Sequence, residues 1–255
     1  MLALLYILWA VPAMAASVDD QMPLSCRTPV VTSAQANAGQ RVLEPLYADT
    51  QKLLVDVQKA FYQARELARL PDARLQIFNR DDLRDCTTSA YSEMAFRGMR
   101  PYDAVLICSN FRFVVANYEQ IFFVIAHELG HLKYRHAELA EDTEKLLRGR
   151  WLAAHPRNPN TPYDRKERRR QLTAAVCPQL NRQASDQEFE ADRFAVDLTR
   201  RAGYDPTQGA LTQRQIADYL AAAARTDVPG HDRLERARRI IERAEASLSP
   251  RLGAD

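Results

Sequence analysis

Beyond its first sixteen residues the chain has no apolar run long enough to cross a membrane, which takes roughly 20 residues. A short later burst, Ile121 to Ala126, lies inside an amphipathic pattern. No integral span is therefore expected in the mature chain. Charge of one sign is also lacking: 35 Lys and Arg stand against 33 Asp and Glu, a formal net charge of +2. A nucleic-acid binder should carry a strong basic excess, so no nucleic-acid partner is expected. The four cysteines include no CxxC spacing, which argues against a cysteine zinc site. No internal repeat is visible. What remains is ordinary for a soluble globular protein: 46% apolar and 27% charged residues, in a chain of 255 with room for one sizeable domain.

The N-terminus differs from the rest. Leu2 to Ala16 carries no charged side chain, ends in Ala13-Met14-Ala15-Ala16 and turns polar at Ser17-Val18-Asp19-Asp20. A short apolar run closed by small residues reads as a cleaved secretory signal over 1–16. An uncleaved anchor or a buried helix is the alternative. No Lys or Arg precedes the run, which leaves the true start codon open. Residues 17–39 follow as an N-terminal arm, and 40–250 as the main domain. Export makes the location periplasmic or secreted. It also turns an even cysteine count into an expectation of two disulfides. Cys86–Cys108 and Cys26–Cys177 is the favoured pairing of three, because Cys86 and Cys108 join neighbouring segments of the expected sheet; four buried thiols is the alternative.

Apolar positions recur at helical spacing from about Gln40 to Leu70, and Pro71-Asp72 stops them. Leu75 and Ile77 mark a short strand. Asp81 to Tyr102 is polar and turn-rich, and 104–108 reads as a second strand. Asn117 caps a helix, with Gln120 placed as in a capping box, that runs through Leu132 toward Leu139. Residues 155–170 hold prolines and the charge run 165–170, and read as a mobile loop. Ser185 caps the next helix, which stops near Gly203. Asp205-Pro206 opens another, and a last helix carries Leu234, Ile240, Ile241 and Leu248. The class is α+β: mostly helical, with a small β-sheet beside one strongly apolar helix.

That helix carries His127-Glu128-Leu129-Gly130-His131, an H-E-x-x-H pattern. At about 100° per residue, histidines four apart lie one turn apart on one face, so both imidazoles can reach one zinc ion. Glu128 sits about 100° round the helix, placed to take a proton from a metal-bound water. The bland reading is two partly exposed histidines on an ordinary helix. Burying them in so apolar a segment, however, calls for a shared partner. A catalytic zinc needs a third protein ligand. His136, five residues beyond His131, would lie about 140° away on a continuing helix and reads as a surface histidine. Glu188-Phe189-Glu190-Ala191-Asp192 offers two carboxylates one turn apart. One can bind zinc and the other accept a ring N–H of a ligand histidine. Against this, Glu188 is also where a capping-box glutamate would stand behind Ser185. Glu190 faces another side, toward solvent.

HELGH at 127–131 followed by EFEAD at 188–192 resembles the HtpX-like and CAAX-prenyl-protease-like zinc peptidases, gluzincins whose pattern is H-E-x-x-H and, tens of residues later, E-x-x-A-D. AGYDP at 202–206 resembles the family's turn after that helix. His231 in GHDRLERARRI resembles its late histidine, with Asp232 where a proline is usual; Ala184-Ser185 departs from the usual Ser-Arg. The resemblance implies a zincin-like domain binding one Zn2+ through His127, His131 and Glu188. Glu128 would be general base, Asp192 would support a ligand, and His231 would stabilise the oxyanion or cover the metal. With the signal, the chain looks closest to the soluble periplasmic, BepA-like branch. The implied partners are protein or peptide substrates and other envelope proteins. The implied activity is a metalloendopeptidase acting on unfolded or misassembled envelope proteins, the 104–108 strand offering the edge along which substrate is added. The competing reading is a zinc-bound, largely latent binding or chaperone-like module.

Overall fold

The computed structural model describes Cys26 and residues 44–77, 90–97, 100–156, 164–222 and 233–246. The expected signal at 1–16, Cys86, His231 and the 17–39 arm apart from Cys26 lie outside the described residues.

Helix α1 spans Thr50–Ala68. It starts later than the apolar spacing predicts. Asp49 caps it by accepting from the Lys52 amide at 2.9 Å, and the chain before the cap is engaged elsewhere, with Tyr47 N donating to Arg112 O at 3.0 Å. Strand β1 is Arg74–Ile77. Strand β2, Ala90–Arg97, and strand β3, Arg100–Ile107, occupy much of the stretch that reads as polar turns. The sheet order is β1-β3-β2. β3 pairs in parallel with β1, from Arg74 opposite Ala104 to Ile77 opposite Ile107. It pairs antiparallel with β2, from Ala90 opposite Ile107 to Arg97 opposite Arg100. The expected edge at 104–108 is therefore corrected: this strand is central. Ala104 to Cys108 are all buried, because a strand covered on both faces reads as a continuous apolar run rather than an alternating one.

After a 3-10 turn at Ser109–Phe113 comes helix α2, Tyr118–Lys133. The Asn117 side chain accepts from the Gln120 amide at 3.0 Å. Gln120 Oε1 in turn accepts from the Ala116 amide at 2.7 Å. Every residue from Gln120 to Gly130 is buried. A helix apolar all round belongs inside, and α2 is packed between α1, the sheet and the helices that follow. It does not run on toward Leu139. The chain breaks at Tyr134-Arg135, where Arg135 takes a left-handed φ of 55°, and helix α3 restarts at His136 and runs to Ala154.

Helix α4 spans Arg165–Arg201 in one piece, through Pro178 and Ser185. Its cap is Asp164, whose side chain accepts from the amides of Lys166 and Glu167. Two expectations are corrected. Ser185 caps nothing, being interior to a helix, and 165–170 are helical turns rather than loop; 157–163 lie outside the described residues. Helix α5 is Thr207–Ala222, entered through Gly203 at φ 80°. Thr207 N and Oγ1 donate to the Asp205 carboxylate. Gly209 lets α5 lie against α2, since a Cβ there would meet the Phe123 ring at 2.3 Å. Helix α6 is Arg233–Ala246. The core joins Phe61 of α1, Phe122, Ile125 and Leu129 of α2, Leu198 of α4 and Ile240 of α6 around the strands. The architecture is α+β, and among the described residues no helix is long and apolar enough to cross a membrane. The sulfurs of Cys26 and of Cys177 on α4 lie 2.12 Å apart.

Candidate metal centre

The site forms where α2 crosses α4. Gly130 sets the closeness of the crossing: a Cβ there would come within 3.2 Å of both Ala191 Cα and Phe194 Cδ1. The glycine of HELGH and the alanine of EFEAD are thus the two small residues that let the helices touch. The contact brings Glu188 and Asp192, one turn apart on α4, to His127 and His131, one turn apart on α2.

His127 Nε2 and His131 Nε2 are 3.1 Å apart. Glu188 Oε2 is 3.4 Å from His127 Nε2, and Glu188 Oε1 is 3.6 Å from His131 Nε2. Zinc holds nitrogen and oxygen ligands at about 2.0–2.2 Å in a tetrahedron, which places neighbouring ligand atoms about 3.4 Å apart. The three donors fit that figure, and they are the only group of three metal-capable side chains so arranged among the described residues. Because Ser185 does not start a helix, Glu188 has no capping duty to explain it.

On the far side of the His127 ring, Nδ1 donates to Asp192 Oδ1 at 2.9 Å. That bond fixes the ring and leaves Nε2 aimed at the other donors. Both carboxylates meet Arg236 of α6, which is 1% exposed. Its Nε and Nη2 donate to Asp192 at 2.6 and 2.7 Å, and its Nη1 donates to Glu188 Oε2 at 2.5 Å.

The electrostatics follow from this packing. Burial works against charge on both carboxylates, yet the Arg236 guanidinium outweighs it, holding Asp192 down at about 2 and Glu188 well below the carboxylate range. Burial also works against His127 as an imidazolium, but the bonds to Asp192 and Glu188 reverse it and lift its pKa to about 9. His131 lacks such a carboxylate bond, and burial together with the His127 charge pushes it down to about 3. The cluster is built around one extra positive charge, which a proton on His127 or a divalent ion can supply.

Glu128 is on the same buried turn, 7% exposed like His127. Its carboxylate lies in the field of Arg236 and Arg233. His231 lies outside the described residues. Arg236 was not singled out from the sequence, although it left a signal: it stands in register with Ile240 and Ala244, the buried stripe of α6. The reading of His136 as a surface histidine is corrected. It is 3% exposed, and its Nδ1 is 2.9 Å from His131 Nδ1. The break at Arg135 turns α3 back toward the site, so the 140° offset of a continuous helix does not apply. Glu190 does not simply face solvent: half-exposed, it places Oε2 at 3.1 Å from His136 Nε2.

No curated protein and no solved structure matches the chain. A family model described as Peptidase family M48 matches residues 86–240, a span that holds the three donors, Glu128, Asp192 and Arg236. The chain belongs to peptidase family M48, and membership implies zinc metallopeptidase activity.

Proposed function

We propose that this peptidase is a metalloendopeptidase that cleaves unfolded or misassembled proteins of the cell envelope, with one zinc held by His127, His131 and Glu188. The observation that carries the reading is the convergence of the three donors at 3.1–3.6 Å on a buried crossing of two helices. When bound, zinc supplies Lewis acidity and a water acidified toward neutrality. Glu128 is the general base. With the metal held there, its carboxylate would take a proton from the attacking water and return it to the departing amine. Asp192 holds the proton on His127 Nδ1, so that Nε2 stays a donor. Arg236 keeps both carboxylates ionised. By the family resemblance, His231 would stabilise the oxyanion or cover the metal.

The substrate would be held as an added strand. With β3 paired on both sides, the candidate edge becomes β2, the outer strand that packs beside α2. An extended segment is what an unfolded chain offers and a folded domain withholds, which supports the substrate class. The envelope location rests on the apolar 1–16 segment and on the joined Cys26 and Cys177, a pairing that an oxidising compartment favours. The same features support placement near the soluble periplasmic, BepA-like branch.

Glu128→Gln tests the reading. The variant is expected to keep one zinc per chain and to lose casein cleavage by at least about a hundredfold, within the span of general acid–base contributions. Cleavage undiminished by the substitution would refute the mechanism.

A further inference from the structure

The two ligand histidines are braced differently. His127 reaches a carboxylate of α4 directly, through Nδ1 to Asp192. His131 reaches one through an intermediary. Its Nδ1 lies 2.9 Å from His136 Nδ1, and His136 Nε2 lies 3.1 Å from Glu190 Oε2. His136 is the one buried residue of α3. It is held from α4 a second time, where Gln187 Nε2 donates to its backbone carbonyl at 3.2 Å.

Two nitrogens 2.9 Å apart cannot both carry or both lack a proton. If His131 Nε2 is to offer a lone pair to a metal, the ring proton must be on His131 Nδ1. His136 Nδ1 then accepts it, and the His136 proton sits on Nε2 and is donated to Glu190. That assignment satisfies both the His131–His136 and the His136–Glu190 contacts, and it puts a carboxylate charge at the end of the chain. The opposite assignment, with His136 Nδ1 donating, would leave the proton on His131 Nε2 and make that atom useless as a ligand.

We infer that His136 and Glu190 are positioning residues that select the metal-binding tautomer of His131 and fix its ring, a role parallel to that of Asp192 for His127. The inference rests on the proposed ligand set. Glu190 and His136 also line an open cleft of about 520 Å³ between α3 and α4, together with Gln183, Asp186 and Arg193. Shortening Glu190 therefore opens no buried hole, which makes it the cleaner site to test.

The experiment measures zinc dissociation constants by competition with a chromogenic chelator. It compares the full chain with Glu190→Ala, Glu190→Gln, His136→Ala and the double Ala variant, and follows thermal unfolding of each metal-free protein. Glu190→Ala is expected to weaken zinc about 10- to 100-fold without moving the metal-free unfolding midpoint. Glu190→Gln, which keeps an acceptor oxygen, should recover part of the loss. The double variant should bind about as weakly as His136→Ala alone, since both residues act through one chain of bonds. Wild-type zinc affinity in Glu190→Ala would overturn the inference, as would losses that multiply in the double variant. Should His136→Ala fail to fold, the two Glu190 variants decide. A wild-type chain that binds no zinc would instead overturn the ligand set itself.

Discussion

At the scale of single residues, the centre is governed by one buried cation. Arg236 faces Asp192, Glu188 and the field of Glu128. Removing one partner from a buried ion pair costs about 3–5 kcal/mol, because the other is left without compensation. Arg236→Met is expected to destabilise the metal-free protein by that order in urea unfolding; a change below about 1 kcal/mol would contradict it. His127 gives a pH dependence with a definite sign. Its folded pKa of about 9 lies above the ordinary 6.5. Its contribution to metal-free stability is thus complete below pH 6.5 and lost as pH rises through 9. Zinc must displace the Nε2 proton of the charged His127 ring, so apparent zinc affinity should climb with pH, about tenfold per unit at most, and level off near 9. Asp192→Asn removes the chief support for the proton. Its affinity curve should level off at a lower pH, and an unshifted curve would show that Asp192 does not stabilise the charged His127 ring. Asp192 itself is the opposite case. Depressed to about 2 from 3.8, it stabilises the fold above about pH 4 and ceases to as pH falls through 2.

At the scale of elements, the site depends on a close helix crossing. Gly130→Val would drive two methyl groups toward Ala191 and Phe194. Overpacking of this kind costs about 1–3 kcal/mol. The variant should unfold earlier and also bind zinc more weakly, since α2 and α4 must separate; retained affinity would show that the crossing is not what sets the donor distances. The same scale explains what could be read in the sequence. The start of α2 was legible because its cap is local, Asn117 to Gln120, and so was the meeting of the His127 and His131 rings on one face, because HELGH needs only helical spacing. The end of α2 was not. A left-handed Arg135 has no compositional signature, since the non-glycine penalty there is met by surrounding structure. His136 was misplaced for that reason alone. Helix α4 was hidden because its first half buries little, only Leu172, Val176 and Cys177 before Pro178. It is held by the Asp164 cap and by exposed pairs such as Glu167–Arg170, so no apolar period announces it. β2 went unseen because an edge strand tolerates polar residues, here Ser92, Glu93 and Arg97.

At the scale of the whole molecule, the α+β class followed from the balance of helical spacing against two short strands, and β2 then made the sheet three-stranded. The fold encloses α2 between α1, the sheet, α4 and α5, so His127 and Glu128 sit on a helix that is buried from Gln120 to Gly130. The sulfurs of Cys26 and Cys177, 151 residues apart in sequence, lie within bonding distance. Peptide mapping without reductant is expected to recover the Cys26 and Cys177 peptides joined, and reductant should lower the unfolding midpoint; free thiols at both positions would contradict the pairing and weaken the case for export. The central claim, that one carboxylate from α4 and two imidazoles from α2 hold a single divalent ion, is tested most directly by the metal content of the purified full chain and its Glu188→Ala variant, both shown folded by circular dichroism. The account predicts one zinc per wild-type chain and almost none in the variant. A wild-type chain without zinc, or a variant that keeps it, would contradict the account.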